Sequence, residues 1–444
     1  MNGKEPRALI SSETPRLLKP SAVETYVREV TGCTDRAALE QWQLFKLREM
    51  LRYAKKRSRF YTEHLKDADP EKIRSFEDLR KIPFTSAEDL RALPQDWLCL
   101  PASGVQRIVT LKTSGTERNP KRIFFSAEEL QDTVNFFAEG MTELSGPGDK
   151  VMILFPCSQP DSVGDLLAKA VEQRGIPAVR EGVPRDFKET ARRIREEGCT
   201  VLAGIPTHIL AVTEALALSE AGTIHSVLLS ADTTPAPLLG RIEGLLGCET
   251  FPHYGMTELG YGVAVECGAH SGCHLKECDF LVELIDPETG LPQSEGKPGE
   301  FVFTTLRRKA MPFIRYRTGD MGYLFSGVCE CGSMVKRILP WGGRRNGKSI
   351  AAGPRRLTQW ELDEILFSVP GLIDYEIRED AGSPELTVYG VEMPDAERVR
   401  EVLAEPGKLG GTAAGALKIH VKVKEGFTGG GMQKRNVAGI KEIP

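Results

Sequence analysis

No run in this 444-residue chain is long and apolar enough to span a bilayer. The opening MNGKEPRALISSETPRLLKP lacks the continuous apolar stretch of a secretory signal. An excess of basic charge is missing too. The formal net charge is −4, which supplies neither an electrostatic footprint for nucleic acid nor a polybasic membrane anchor. A cytoplasmic location is therefore expected, with no nucleic acid and no membrane among the partners. No internal repeat is visible. The 10 cysteines are not spaced like a small secreted scaffold, so reduced thiols or metal ligands are expected rather than a disulfide framework.

What is present is an ordinary globular composition, 41% hydrophobic and 27% charged. The length calls for two or three domains or subdomains. Residues from about 24 to 65 carry apolar side chains at helical spacing, as in LEQWQLFKLREMLRYAKKRS. Thr85-Ser86 can cap a short helix, and Ser126 to Glu129 reads as a capping box for a helix reaching about residue 144. Between residues 150 and 232 strands and helices alternate: KVMILFP, DSVGDLLAKAVEQRG, IPAVREG, DFKETARRIREEG, CTVLAGIP, PTHILAVTEALALSEAG, SVLLSAD. Such alternation implies a parallel sheet covered by helices. Ligands of these sheets sit beyond the carboxyl ends of the strands.

From about residue 279 the pattern becomes β, with DFLVELIDPETG, EFVFTTL and FIRYRTGD joined by Pro/Gly turns. WGGRRNGKS reads as a linker. Beyond it LTQWELDEILFSV, DYEIRE, ELTVYGV, AERVREVLAE and LKIHVKV give a small α+β domain with a glycine-rich tail. The fold class is thus α/β. A large N-terminal domain over 1–340 has parallel sheets and a β subdomain. A hinge spans 341–347, and a small α+β domain spans 348–444.

Three short segments could handle a nucleotide. LKTSGTERNPKR offers hydroxyls, backbone N–H groups and Lys121 to a polyphosphate. It does not fit the Walker A pattern, and a glycine hairpin is the plainer account. HYGMTE places Tyr254, Gly255 and Glu258 together after a strand. The ring can stack on a base and the carboxylate can hold Mg²⁺; a buried tyrosine with a surface glutamate is the plainer account. RYRTGD ends a strand in a turn, where Asp320 could accept both ribose hydroxyls or merely shape the turn.

The order TSGT…PK, YGMTE, YRTGD and a Gly-Arg pair resembles the adenylate-forming superfamily of acyl-CoA synthetases. The phenylacetate-CoA ligase group is also similar at IPFTSAEDLR and at ELIDPETGLPQSEGKPGEFVFTTLRRKAMPFIRYRTGD. The likeness runs from about residue 40 to the end. It implies that Thr113, Ser114, Gly115, Thr116 and Lys121 close over the β- and γ-phosphates of ATP. Ser230, Ala231 and Asp232, with Tyr254, Gly255 and Met256, would line the adenine pocket. Thr257 would approach the α-phosphate, Glu258 would ligate Mg²⁺, and Asp320 with Arg344 would hold the ribose. The resemblance further implies coenzyme A as acceptor and a small-molecule carboxylic acid, aryl or arylacetic, as substrate. Gly204 to His208 and Gly260-Tyr261-Gly262 are candidate pocket walls. A homodimer is expected.

Two departures stand out. Glu117-Arg118 occupies positions that are usually Thr-Gly in the family loop. Alignment on Arg435 places Met432 where the family carries its adenylation lysine; Lys434, one residue before the arginine, could substitute or be an ordinary solvated lysine. The family's hinge acids are also absent, with Asn346-Gly347 in their place. These departures keep two alternatives open: an enzyme loading a carrier protein or an amine, and a nucleotide-binding regulatory or assembly protein.

Cysteine and histidine form a further set. Cys267, His270, Cys273 and His274 lie in ECGAHSGCH, and Cys329 and Cys331 in CECG. Four such ligands suit tetrahedral Zn²⁺. Cys267, His274, Cys329 and Cys331 are the preferred set, with His270 and Cys273 as rivals. Some phenylacetate-CoA ligase relatives carry a similar set, which by resemblance implies a structural zinc.

Overall fold

Gly32 and Ser58 divide the first helical stretch into three. The helix Ala22–Thr31 stops at Gly32, whose φ of 71° is left-handed. The helix Arg36–Arg57 ends at Ser58. Ser58 then accepts from Tyr61 N and opens Arg59–His64. In the computed structural model the described residues are 18–111, 119–218, 223–344, 348–352, 355–380, 383–405, 408, 417–428 and 441–442. Both predicted caps form. Ser86 and Asp89 make a capping box for Ala87–Ala92, and Ser126 and Glu129 make one for Ala127–Gly140.

By its internal contacts the chain divides into two units: Met1–Glu143 with His253–Pro340, and Leu144–Pro252 with Trp341–Pro444. Two strands, Glu249–Tyr254 and Arg337–Arg344, run across the boundaries.

In the first unit the strands pair antiparallel. Gly299–Thr305 lies between Phe280–Ile285 and Tyr316–Phe325. Cys273–Leu275 lies between Ala264–Glu266 and Arg337–Arg344. The strands on either side of TSGTERNP, Arg107–Leu111 and Lys121–Phe125, pair antiparallel. Two stretches quoted for the resemblance meet here. Thr85 N donates to Arg315 O at 3.0 Å, and Arg317 N donates to Thr85 O at 2.9 Å. Arg315 itself is buried and has φ 48°. Its guanidinium binds both oxygens of Glu283 at 2.9 and 2.8 Å, and Arg80 O at 2.7 Å.

In the second unit the alternating segments form a parallel sheet in the order Ala178–Arg180, Val151–Ile153, Val201–Gly204, Ser226–Leu229, then the start of Glu249–Tyr254. The C-terminal segments form a second sheet, Leu372–Asp380, Ser383–Gly390 and Lys418–Val423. One apolar cluster runs through both parts. It takes Ile209, Leu210 and Val212 from Pro206–Ala217 and Leu238 and Ile242 from Ala236–Leu246. Leu366, Phe367, Val369 and Tyr375 join from the C-terminal segments.

The expected linker at 341 is partly strand, with Arg337–Arg344 running into it and Lys348–Ala352 leaving it. Gly342, Gly347, Lys348 and Ser349 also match phosphate-loop spacing, which went unnoticed in the sequence. That motif needs a helix after the lysine; a strand follows instead.

Candidate active site

The turn after strand Glu249–Tyr254 is built on a glycine that nothing else can replace. A Cβ on Gly255 would lie 1.8 Å from Tyr261 O. The turn closes through Tyr261 N to Met256 O at 2.8 Å and Leu259 N to Met256 O at 3.1 Å. Tyr261 has φ 69°, and its ring stacks on Phe125 at 5.2 Å. The turn is thereby fixed to the strand Lys121–Phe125.

That strand begins with Lys121, whose ammonium is ion-paired with Glu258. The two side chains are only 11% and 4% exposed. Coulombic attraction is strong in such surroundings, and removing either partner would strand a buried charge. Tyr316 adds its hydroxyl, 3.5 Å from Glu258 Oε1. At the head of the turn, Tyr254 donates its hydroxyl to Asp320 Oδ2 at 2.9 Å. Asp320 is shaped in turn by Thr318, which accepts from Asp320 N at 3.0 Å. Met256 is buried and Thr257 half-buried in the same turn.

The structure thus brings together Lys121, Tyr254, Gly255, Met256, Thr257, Glu258 and Asp320 within one unit. Ser230, Ala231 and Asp232 belong to the other. They follow strand Ser226–Leu229, and Ser230 N donates to Gly204 O at 3.1 Å. Arg344 ends the strand Arg337–Arg344. Thr113, Ser114, Gly115 and Thr116, the Glu117-Arg118 pair, Met432 and Lys434 lie outside the described residues. Gly260 to Gly262 belong to the turn just described. Gly204 to His208, the other suggested wall, belong to the second unit, where His208 is buried and burial pushes its pKa down to about 4.

Tyr316 and Arg308 escaped the sequence reading. Tyr316 stood inside a quoted motif without a role. Arg308 is buried with its guanidinium over the Phe125 ring at 4.6 Å, and burial lowers its pKa. A buried arginine looks like a surface one in sequence, and Arg308 stands in the basic run Arg307-Arg308-Lys309, where nothing marks it as buried.

Cys267, His274, Cys329 and Cys331 are all buried, with one ligand atom from each within 4.8 Å of the others. Cys267 Sγ is 3.9 Å from Cys329 Sγ. His274 Nε2 is 3.3 Å from Cys267 Sγ and 3.5 Å from Cys331 Sγ. A tetrahedral zinc with bonds of about 2.3 Å to sulfur and about 2.0 Å to nitrogen has edges of about 3.8 Å between sulfurs and about 3.5 Å between sulfur and nitrogen. The set fits that shape. Cys273 precedes His274 on a strand, so its side chain points to the opposite face, and His270 Nδ1 lies 3.2 Å from Glu266.

Residues 49–305 match the family of AMP-binding enzymes. The match covers more than half of the chain, which belongs to that family. Within it the chain resembles acid–thiol ligases. It is 29% identical over 353 residues to the phenylacetate-coenzyme A ligase of Thermus thermophilus, covering 77% of this chain and 78% of that one. It is 29% identical over 294 residues to the phenylacetate-coenzyme A ligase of Escherichia coli, covering 64% and 65%. Among solved structures, a 2-hydroxyisobutyryl-CoA ligase in its postadenylation state superposes with a TM-score of 0.71. That superposition covers 95% of this chain and 91% of the other at 17% identity, and shows the adenylate-forming fold. Among the described residues no helix is long and apolar enough to cross a membrane.

Proposed function

We propose that the chain is an ATP-dependent carboxylate–CoA ligase acting on an aryl or arylacetic acid. A carboxylate is a poor acyl donor because its leaving group would be oxide. Attack of a carboxylate oxygen on the α-phosphorus of ATP expels pyrophosphate and leaves an acyl-adenylate. The thiol of coenzyme A then displaces AMP, giving the thioester. The observation that carries this reading is the buried Lys121–Glu258 pair in the turn whose Tyr254 binds Asp320, inside the stretch that matches the AMP-binding family.

In this reading Lys121 meets the β- and γ-phosphates with Thr113, Ser114, Gly115 and Thr116, and Thr257 approaches the α-phosphate. Asp320 and Arg344 hold the ribose. Tyr254, Gly255 and Met256, with Ser230, Ala231 and Asp232, bind adenine. Glu258 would hold Mg²⁺, which when bound offsets negative charge on the phosphates. Lys434 takes the place of the lysine that Met432 displaces. Cys267, His274, Cys329 and Cys331 hold a structural zinc; four protein ligands leave no open position. A cytoplasmic location, a homodimer and a small domain 348–444 hinged at 341–347 belong to the same proposal.

The test is carboxylate-dependent exchange of pyrophosphate into ATP over a panel of acids, followed by AMP release with and without coenzyme A. Exchange with arylacetic acids and CoA-dependent AMP release are expected. Exchange without any CoA dependence favours a carrier protein or amine as acceptor. No exchange with any acid sinks the ligase reading and favours a regulatory protein. Glu258→Gln is expected to slow exchange by about a hundredfold or more. Metal analysis should find one zinc per chain, lost in Cys331→Ala; zinc-free native protein would remove the clip.

A further inference from the structure

The loop between strand Ser226–Leu229 and helix Ala236–Leu246 holds a backbone that its sequence disfavours. Ala231 sits at φ 75°, a left-handed conformation that side-chain-bearing residues rarely keep without outside support. Asp232 Oδ1 accepts from Thr233 N at 2.8 Å, a turn made within the loop itself.

Ser230 N also donates to Gly204 O at 3.1 Å, and further support comes from more than a hundred residues away. Thr233 Oγ1 donates to Asp363 Oδ2 at 2.9 Å. The next residue on that helix, Glu364, accepts from Ala236 N at 3.2 Å. Asp363 is fully buried, and its other oxygen accepts from the Tyr375 hydroxyl at 2.6 Å. With both oxygens engaged, the carboxylate cannot swing away from Thr233. The helix Gln359–Leu366 that carries it is held as well. Arg241, on the helix leaving the loop, donates to Leu372 O at 2.5 Å and to Phe367 O at 3.4 Å. Leu366 and Phe367 enter the same apolar cluster as Leu238 and Ile242.

We propose that Asp363 is a positioning residue for the nucleotide: through Thr233 it holds Ser230-Ala231-Asp232 in the shape that receives adenine. This rests on the reading of 230–232 as part of the adenine pocket. Asp363 has no role in the bond-making steps. A hydrogen bond to a buried carboxylate is among the stronger kinds, and here it fixes the residue that follows the strained turn. The C-terminal part of the chain thereby sets nucleotide affinity through one side chain.

The experiment uses the full chain. Hydrogen exchange of segment 229–236 is measured with and without AMP, and AMP affinity is measured for Thr233→Val and Asp363→Asn. Thr233→Val keeps the shape and removes the donor. Asp363→Asn keeps a partner for Thr233 and an acceptor for Tyr375. AMP should protect 229–236. Thr233→Val should bind AMP about five- to tenfold more weakly with little change in melting temperature, and Asp363→Asn should bind nearly as wild type. Protection of the loop by AMP together with unchanged affinity in Thr233→Val would overturn the positioning role alone. Absence of protection would overturn the adenine reading of the loop, and this proposal with it.

Discussion

Both units have apolar cores, but they differ in how much charge they bury. In the first, charged groups are buried in matched sets. Arg315 is clamped to Glu283, Arg317 to Glu300, Lys276 to Asp279 and Lys121 to Glu258. In the second, an apolar cluster runs through helices on either side of residues 253–340 in the sequence, and Asp363 and Asp374 are the buried acids among the described residues. Buried ion pairs add little net stability but heavily penalise wrong partners. An apolar core does the reverse: it stabilises and tolerates repacking. The unit with the turn 253–258 is therefore the one whose geometry is most tightly specified.

The largest expected effect probes that difference directly. Arg315→Ala should destabilise by about 3–5 kcal/mol, because Glu283 is left charged and poorly solvated. The double variant Arg315→Met with Glu283→Met should recover much of the loss. Urea unfolding of both variants is the measurement. A double variant as unstable as the single one would mean that the pair contributes net stability, and the contrast between the units would fall.

Next comes the counterpart in the second unit. Leu366→Ala removes a fully buried side chain and should cost about 2–5 kcal/mol. No second substitution that merely removes charge can restore it. Its signature is a faster proteolytic cleavage of residues 341–444 while the first unit keeps its protection. Simultaneous cleavage of both units would show one cooperative core rather than two.

The parallel sheet and the small α+β part were readable because local signals agreed with the final packing. Capping residues such as Ser126 and Thr358 mark helix starts, and the apolar runs near 151, 201 and 226 are short buried strands. The helix break at Ser58 was missed because a serine among periodic apolar residues looks like an exposed position. The extension of a strand through Trp341 was missed because glycine and charge suggest a linker. In the candidate site, Glu258 and Asp320 were legible through motif order. The direct pairing of Lys121 with Glu258 was not: it joins residues 137 positions apart, and only the antiparallel strand pair and the Gly255 turn together bring them into contact. The same holds for Thr233 and Asp363, which no local pattern links.

Acid provides the smallest and most selective probe. His253 in the first unit and His208 in the second both have a pKa that burial pushes down to about 4. A histidine in an unfolded chain titrates near 6.5. Between these values the unfolded state binds more protons, so folding is weakened as pH falls below about 6.5, and the full contribution is present above it. From pH 7.5 to 6 each histidine should cost about 0.8 kcal/mol, equally in both units. The units should part company only further down. Burial alone would raise the pKa of Asp279, but Lys276 and Arg307 outweigh it and hold the carboxyl below its usual range. That stability is present above the unfolded value near 3.9 and is lost as pH falls through the folded one. Hydrogen exchange, corrected for its intrinsic pH dependence, can follow strand Gly299–Thr305 in one unit and strand Val201–Gly204 in the other. Equal loss to pH 6 and a steeper loss in Gly299–Thr305 below pH 4 are expected. A difference already present at pH 6 would assign the acid sensitivity to groups other than these histidines, and buried charge would no longer be what separates the two units.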